Sequence, residues 1–354
     1  MGTPSDFAQE TKSSETNMSP TTTPSDFKQT DTDLNMIQAL NHSLDWGLQH
    51  YANTVILGED VGYFGGVFRV TQGLQKKYGV KRVFDTPLSE CGIIGTSIGM
   101  ALGGLHPIAE IQFADFVFPA MDQIASELSK YRYRSGGQYS LNMMIRMPYG
   151  GGIKGGHYHS QSPEAFFTHL PGLRVVVPSG PYEAKGLMLA ALESKDPVIF
   201  LEPKRIYRSI KASVPKNYYT LPLDKALVKR PGHDLTLIAY GAMIDVVMKA
   251  AELAQDEGYE CEVIDMLTLL PFDKHTLCES VKKTGRGIIV HEAPKTCGYG
   301  AELVASIQES VFSRLQAPLT RVTGFDTPFP YRLEHHYLPS PERILDCIRT
   351  VMSY

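Results

Sequence analysis

The chain lacks the marks of an extracellular scaffold, a membrane protein and a nucleic-acid binder. Its five cysteines, Cys91, Cys261, Cys278, Cys297 and Cys347, are odd in number, widely spaced and include no C-x-x-C pair. That excludes a disulfide framework and a structural zinc site, and points to a reducing cytoplasm. A basic surplus is missing too, since 34 Lys and Arg stand against 38 Asp and Glu for a formal net charge of -4. Nothing here draws nucleic acid by charge. No apolar run is long enough for a membrane span, and the nearest, Cys91 to Leu105, is broken by glycines. The start of the chain has no apolar centre and no Arg before Arg69, which argues against a signal or transit peptide.

What is present suits a two-domain globular protein: 354 residues, 43% hydrophobic and 20% charged. Residues 1–33 are rich in Ser, Thr and Pro and hold too few large apolar groups to offset the entropy of ordering them, so they read as a disordered tail. Within it Thr3-Pro4-Ser5-Asp6-Phe7 recurs as Thr23-Pro24-Ser25-Asp26-Phe27, leaving open a docking peptide with two Phe anchors. From residue 34 to 208 helix-period segments (36–51, 92–105, 121–131, 182–192) alternate with strand-like runs (54–57, 82–84, 108–113, 143–146, 174–177, 198–201). This is the pattern of an α/β domain around a largely parallel sheet. A linker at 209–223 leads to residues 224–354, where strands at 235–240, 262–265 and 287–291 alternate with helices at 243–256, 274–283 and 301–312. The second unit is a smaller α/β domain.

Three segments carry side chains suited to chemistry. Glu90 stands where a strand gives way to a glycine-spaced helix, the place α/β folds reserve for ligands. It reads equally as a first-turn glutamate favoured by the helix dipole. His159 ends a glycine-rich run, Gly150 to Gly156, that is not a P-loop because no G-K-[ST] follows it. His157 and His159 together lack a third metal ligand at fixed spacing. The strand Glu110-Ile111-Gln112-Phe113-Ala114-Asp115-Phe116 ends in mixed polar and aromatic groups, and alternation sets Gln112 and Phe113 on opposite faces. Glu59 and Asp60 leave the first strand in a glycine-rich turn whose plain reading is a solvated loop.

Taken together, Gly58-Glu59-Asp60-Val61-Gly62, Asp85-Thr86-Pro87-Leu88-Ser89-Glu90, Glu110 to Asp115, Tyr131 to Gly136, His159 to Glu164, Leu201-Glu202-Pro203-Lys204 and Gly324 to Pro330 resemble the β subunit of thiamine-diphosphate-dependent 2-oxo acid dehydrogenase E1. The resemblance runs in order from about residue 35 to the C-terminus. It implies a transketolase-like pyrimidine-binding domain followed by a transketolase C-terminal domain. It also implies roles: Glu90 for N1′ of the cofactor's aminopyrimidine, Leu88, Ser89, Gln112 and Phe116 for the pocket around it, and His159 for the active-site histidine. Phe116 stands where the family often has Tyr, which removes a hydroxyl. Glu59 and Phe113, Ala114, Asp115 and Phe116 fall on the substrate side.

The family binds Mg²⁺ and the diphosphate with a Gly-Asp-Gly segment, and none occurs in this sequence. The resemblance therefore implies an E1 α subunit supplying that half, in an α2β2 assembly that passes its acyl group to the lipoyl group of an E2 acyltransferase. It further suggests a structural K⁺ held by backbone carbonyls of Ala191, Ser194 and Asp196. The stretch Glu110 to Phe116 followed by Phe118 to Ile124 looks more like branched-chain enzymes than pyruvate enzymes, which tend to lack the Ala-Asp here, the pyruvate type being the alternative. A nicotinamide oxidoreductase fits poorly because only Gly241 follows the strand at 235–240. A non-catalytic docking subunit is opposed by Glu90 and His159 together.

Overall fold

The computed structural model describes residues 31–354. The first part of the chain contributes β1 (Asp31–Asn35), β2 (Thr54–Gly58), β3 (Val83–Asp85), β4 (His106–Glu110), β5 (Met144–Tyr149), β6 (Arg174–Val176), β7 (Val198–Pro203) and β8 (Lys211–Pro215). The remainder contributes β9 (Leu227–Arg230), β10 (Leu235–Ala239), β11 (Cys261–Asp265), β12 (Thr268–Leu270), β13 (Gly287–Val290) and β14 (Thr320–Val322).

Seven strands form one sheet in the order β12-β6-β7-β5-β4-β2-β3 and five form a second in the order β14-β13-β10-β11-β9. Pairings in the first sheet are parallel except β12 on β6, and in the second except β9 on β11. Parallel sheets need both faces covered, which is why β2, β4, β5 and β7 are buried along their whole length. Leu40 and Leu44 of the helix Met36–His50 meet Leu187 and Met188 of Pro181–Glu193 in one apolar layer. Ile93, Ile94 and Ile98 of Glu90–Leu102 belong to the other. Both layers continue into the C-terminal domain, the first through Val247 and Ile344, the second through Leu277 and Leu303.

The expected tail falls outside the described residues up to Thr30, but Asp31 to Asp33 lie in β1. There the chain pairs antiparallel with β8, inside the segment expected to be a linker. Leu34 anchors the pairing by burial against Val214 and Ala39. Asn35 then opens the next helix with a capping box, its side chain accepting from the Gln38 amide at 3.0 Å while Gln38 accepts from the Asn35 amide. The strand expected over 108–113 ends at Glu110, because the chain turns into a short 3-10 turn at Ala114–Phe116. Gln112 and Phe113 therefore lie beyond the pleat, and strand alternation does not orient them. The helix expected over 121–131 is replaced by a π-helical turn, Gln123–Leu128, and a short helix, Tyr131–Arg134.

Strand order locates the crevice. From β2 the chain crosses to β3 on one side and then to β4 on the other, so the direction of winding reverses between β2 and β4. In open α/β sheets, ligands sit at the carboxyl ends of the strands at such a point. Gly58 closes β2 there at φ 153°, and a Cβ on it would lie 2.6 Å from the Glu110 carbonyl oxygen. Only glycine permits that approach of β2 to β4.

Candidate active site

The carboxyl edge of the sheet gathers residues from four loops. Glu59 follows β2 and is buried, with Oε1 lacking a hydrogen-bond partner. Burial raises its pKa, and the carboxylates of Glu90 and Asp60 push it the same way. Glu90 is the first residue of a helix whose cap, Ser89, accepts from the Gly92 amide at 3.3 Å. The start is open to one side: Glu90 is half-buried, Ser89 is exposed and Leu88 is 87% exposed. Gln112, after β4, donates to Asp60 Oδ2 at 3.2 Å, which leaves its amide oxygen for other contacts.

His159 is reached from the same loop. Its ring packs edge-on to Phe113 at 4.6 Å and to Phe116 at 5.3 Å between centroids. Asp115, between those two aromatics, accepts the amides of Ser160 and Gln161 through Oδ1, each at 3.1 Å. His157 does not join this group: it is exposed, its ring tilted against that of Tyr158 with centroids 4.1 Å apart. Two histidines two residues apart thus have different surroundings. His157 and Tyr158 instead border a cleft of about 920 Å³ between the domains, opposite Cys297 and Phe329.

Beneath the edge lies a buried ionic group that sequence reasoning missed. Arg146 on β5 is fully buried and bonds Glu202 of β7 in bidentate fashion, Nε to Oε1 at 2.7 Å and Nη2 to Oε2 at 2.8 Å. Its Nη1 bonds Glu110, at the end of β4, and the Tyr207 hydroxyl donates to Glu202. Burial pushes Glu110 up to about 6 against the opposing pull of the Arg146 guanidinium. The signal was available, since Arg146 interrupts the apolar run Met143-Met144-Ile145-Arg146-Met147, and a charge inside a buried strand requires partners. Lys204, Glu292 and Glu334 were also missed; they surround the base of the loop that carries His159.

The carbonyls expected to hold K⁺ lie at and just beyond the C-terminal end of the helix Pro181–Glu193. The Ala191 carbonyl accepts the Ser194 amide at 3.2 Å, and the Asp196 carbonyl accepts the Ser194 hydroxyl at 2.8 Å. Among the described residues no group of three or more His, Cys, Asp or Glu is arranged to hold a metal ion. No helix among them is long and apolar enough to cross a membrane.

The family description "Transketolase, pyrimidine binding domain" matches residues 32–209, and "Transketolase, C-terminal domain" matches residues 224–344. A 2-oxoisovalerate dehydrogenase subunit beta from Pseudomonas aeruginosa is 52% identical over 340 residues, covering 92% of this chain and 96% of its own length. The chain belongs to the family of 2-oxo acid dehydrogenase E1 β subunits. A mitochondrial 2-oxoisovalerate dehydrogenase subunit beta from Dictyostelium discoideum is 53% identical, covering 91% of this chain and 87% of its own length. A pyruvate dehydrogenase E1 component subunit beta from Acholeplasma laidlawii is 47% identical over 89% of this chain and 97% of its own. In three dimensions the E1 β chain is similar to a chain described as a split gene transketolase, inactive beta4 tetramer. The TM-score is 0.73 at 21% identity, with 91% of this chain and 99% of that one covered, a likeness of fold.

Proposed function

We propose that this chain is the β half of a branched-chain 2-oxo acid dehydrogenase E1, completed by an α subunit that brings Mg²⁺ and the diphosphate-binding half. What supports the reading is the open carboxyl edge, where Glu59 and Glu90 follow the adjacent strands β2 and β3, Phe116 and His159 pack together in the loops after β4 and β5, and Leu88 is exposed. A shelf with acids, an aromatic face and a bare leucine is half of a pocket. The unpartnered Glu59 oxygen and the half-buried Glu90 carboxyl suit an aminopyrimidine ring, with Glu90 holding a proton at its ring nitrogen and Leu88 and Phe116 lying against it. Thiamine diphosphate, once bound, supplies the nucleophilic carbon and electron sink that decarboxylation of a 2-oxo acid requires. Phe113 and Phe116 give His159 an apolar wall suited to a branched acyl group, and His159 would move a proton as that group passes to the lipoyl sulfur of E2. Unpaired cysteines, two of them buried, support a cytoplasmic site of action.

Co-expression with an α subunit, followed by decarboxylation assays on 3-methyl-2-oxobutanoate, pyruvate and 2-oxoglutarate, tests the substrate. The expected order places 3-methyl-2-oxobutanoate first in kcat/KM; a preference for pyruvate would overturn the branched-chain assignment. His159→Ala should depress acylation of a free lipoyl domain far more than decarboxylation with an artificial electron acceptor, while His157→Ala should leave both near wild type. If His157→Ala proves the more damaging in acylation, the role of His159 is wrong. The K⁺ site is part of the same proposal, supported by carbonyls at a helix C-terminus. A melting temperature that rises with K⁺ but not with Na⁺ would support it, and equal response to both salts would refute it.

A further inference from the structure

Residues 150–161 form a loop closed at its neck by the Gly150 amide donating to the Gln161 carbonyl at 2.9 Å. Four charged side chains, none of them in the loop, hold that neck and the strands of chain leading from it. Asp115 takes the amides of Ser160 and Gln161 on the outgoing side. Glu292 takes the Gly151 amide at 2.8 Å, and Glu334 takes the Lys154 amide at 3.1 Å, on the incoming side. The fourth is Lys204, in the short turn directly after β7. Its Nζ donates to the Gly150 carbonyl at 2.5 Å and lies 5.7 Å from the centre of the Phe113 ring.

Lys204 is 3% exposed and, among the described residues, makes no ion pair within salt-bridge distance; its ammonium instead feels the carboxylates of Asp115, Glu292 and Glu334 electrostatically. Burial lowers its pKa to about 8, with the three carboxylates opposing the fall. A buried ammonium satisfied by a single backbone carbonyl is costly unless its charge is balanced nearby. Here the balance comes from the carboxylates that pin both sides of the loop, two of them from the C-terminal domain.

We propose that Lys204 is a positioning residue for His159: by holding the Gly150 carbonyl between Asp115 and the pair Glu292 and Glu334, it fixes the neck of the loop and hence the seat of the imidazole against Phe113 and Phe116. The proposal rests on the reading of His159 as the group that serves acyl transfer. Lys204 touches neither substrate nor cofactor. Its removal therefore acts through the loop, and displacement of a reacting group by about 1 Å costs on the order of 10²-fold in rate.

The test uses the assembled α2β2 enzyme with Lys204→Met, a substitution of similar length without the charge. Hydrogen–deuterium exchange read on peptides spanning residues 150–162 should be about tenfold faster at the pinned amides. Lipoyl-domain acylation should fall on the order of 10²-fold, while decarboxylation with an artificial acceptor and the KM for the 2-oxo acid stay near wild type. Exchange at the wild-type rate would overturn the proposal, as would a loss of decarboxylation equal to the loss of acylation. His159→Ala, run beside it, reports on the underlying reading alone: normal acylation there removes the role of His159, whereas normal exchange in Lys204→Met removes the role of Lys204. Should Lys204→Met not assemble with α, Lys204→Gln is read by the same measurements against the same outcomes.

Discussion

Replacing Arg146 with Met should be among the most damaging single substitutions in the N-terminal domain. The guanidinium is fully buried and serves two carboxylates, Glu202 at 2.7 and 2.8 Å and Glu110, which are 0% and 3% exposed. Deleting it leaves two acids in a dry site, where the loss of one partner of a buried ion pair costs about 3–5 kcal/mol. For a chain of this size each kcal/mol moves the melting temperature by roughly 2 °C, so a fall of about 6–10 °C is expected by calorimetry of the assembled enzyme. The cost depends on pH in a definite direction. Burial has already pushed Glu110 to about 6, and a neutral Glu110 no longer requires the guanidinium, so the penalty should be smaller at pH 5 than at pH 8. Adding Glu110→Gln and Glu202→Gln to Arg146→Met removes both uncompensated charges while leaving Tyr207 an acceptor, and should recover a large part of the loss. A penalty below about 1 kcal/mol for Arg146→Met, the size of an exposed pair, would refute the reasoning.

Other expectations follow from single contacts. Gly172 sits at φ 99°, and a Cβ there would lie 1.9 Å from the Ser129 carbonyl oxygen; Gly172→Ala should therefore reduce soluble yield and melting temperature, and wild-type behaviour would show that this turn shifts freely. His106 is buried, and burial lowers its pKa from 6.5 to about 4. The stability this provides is present above the unfolded value and lost as pH falls through the folded one, a span worth about 3 kcal/mol. Urea titrations between pH 4 and 6.5 should accordingly show a shallower loss for His106→Gln than for wild type, and parallel slopes would refute the assignment. Glu90→Gln in the assembled enzyme should preserve assembly and suppress C2 proton exchange of bound thiamine diphosphate by about 10²-fold or more; exchange at the wild-type rate would remove its proposed role.

The elements read correctly from sequence are those whose signal is local. Val55, Ile56 and Leu57 form an apolar run that is buried on both faces, and Glu90 stands, as read, at the start of a glycine-spaced helix. What could not be read depends on distant partners. β1 exists because Asp31 to Asn35 meet Lys211 to Pro215, and β12 because Thr268 to Leu270 meet Val175 and Val176. Neither segment has an alternation of its own to announce a strand. At the candidate site, Glu90 and His159 were legible as unusual residues at element boundaries, but spacing alone did not separate His159 from His157; only the resemblance did, and the contacts that distinguish them come from the edges of Phe113 and Phe116. Glu292 and Glu334 are more than 100 residues from the loop they hold, and no pattern in the chain connects them.

The antiparallel addition of β12 to β6 has a consequence for how this protein can be divided. A strand from the C-terminal part completes the edge of the N-terminal sheet, and the apolar layers pass between the two parts without a break. Expressed without residues 268–270, the N-terminal part would present the bare edge of β6 to solvent, a template for pairing with other chains. A backbone cut between β8 and β9, by contrast, severs a covalent link while sparing every strand pairing. The cut enzyme should travel as one particle, whereas the two pieces made separately should be prone to aggregate until mixed. The two domains are inherited in sequence as a tandem, but as a physical object they are a single body with one seam.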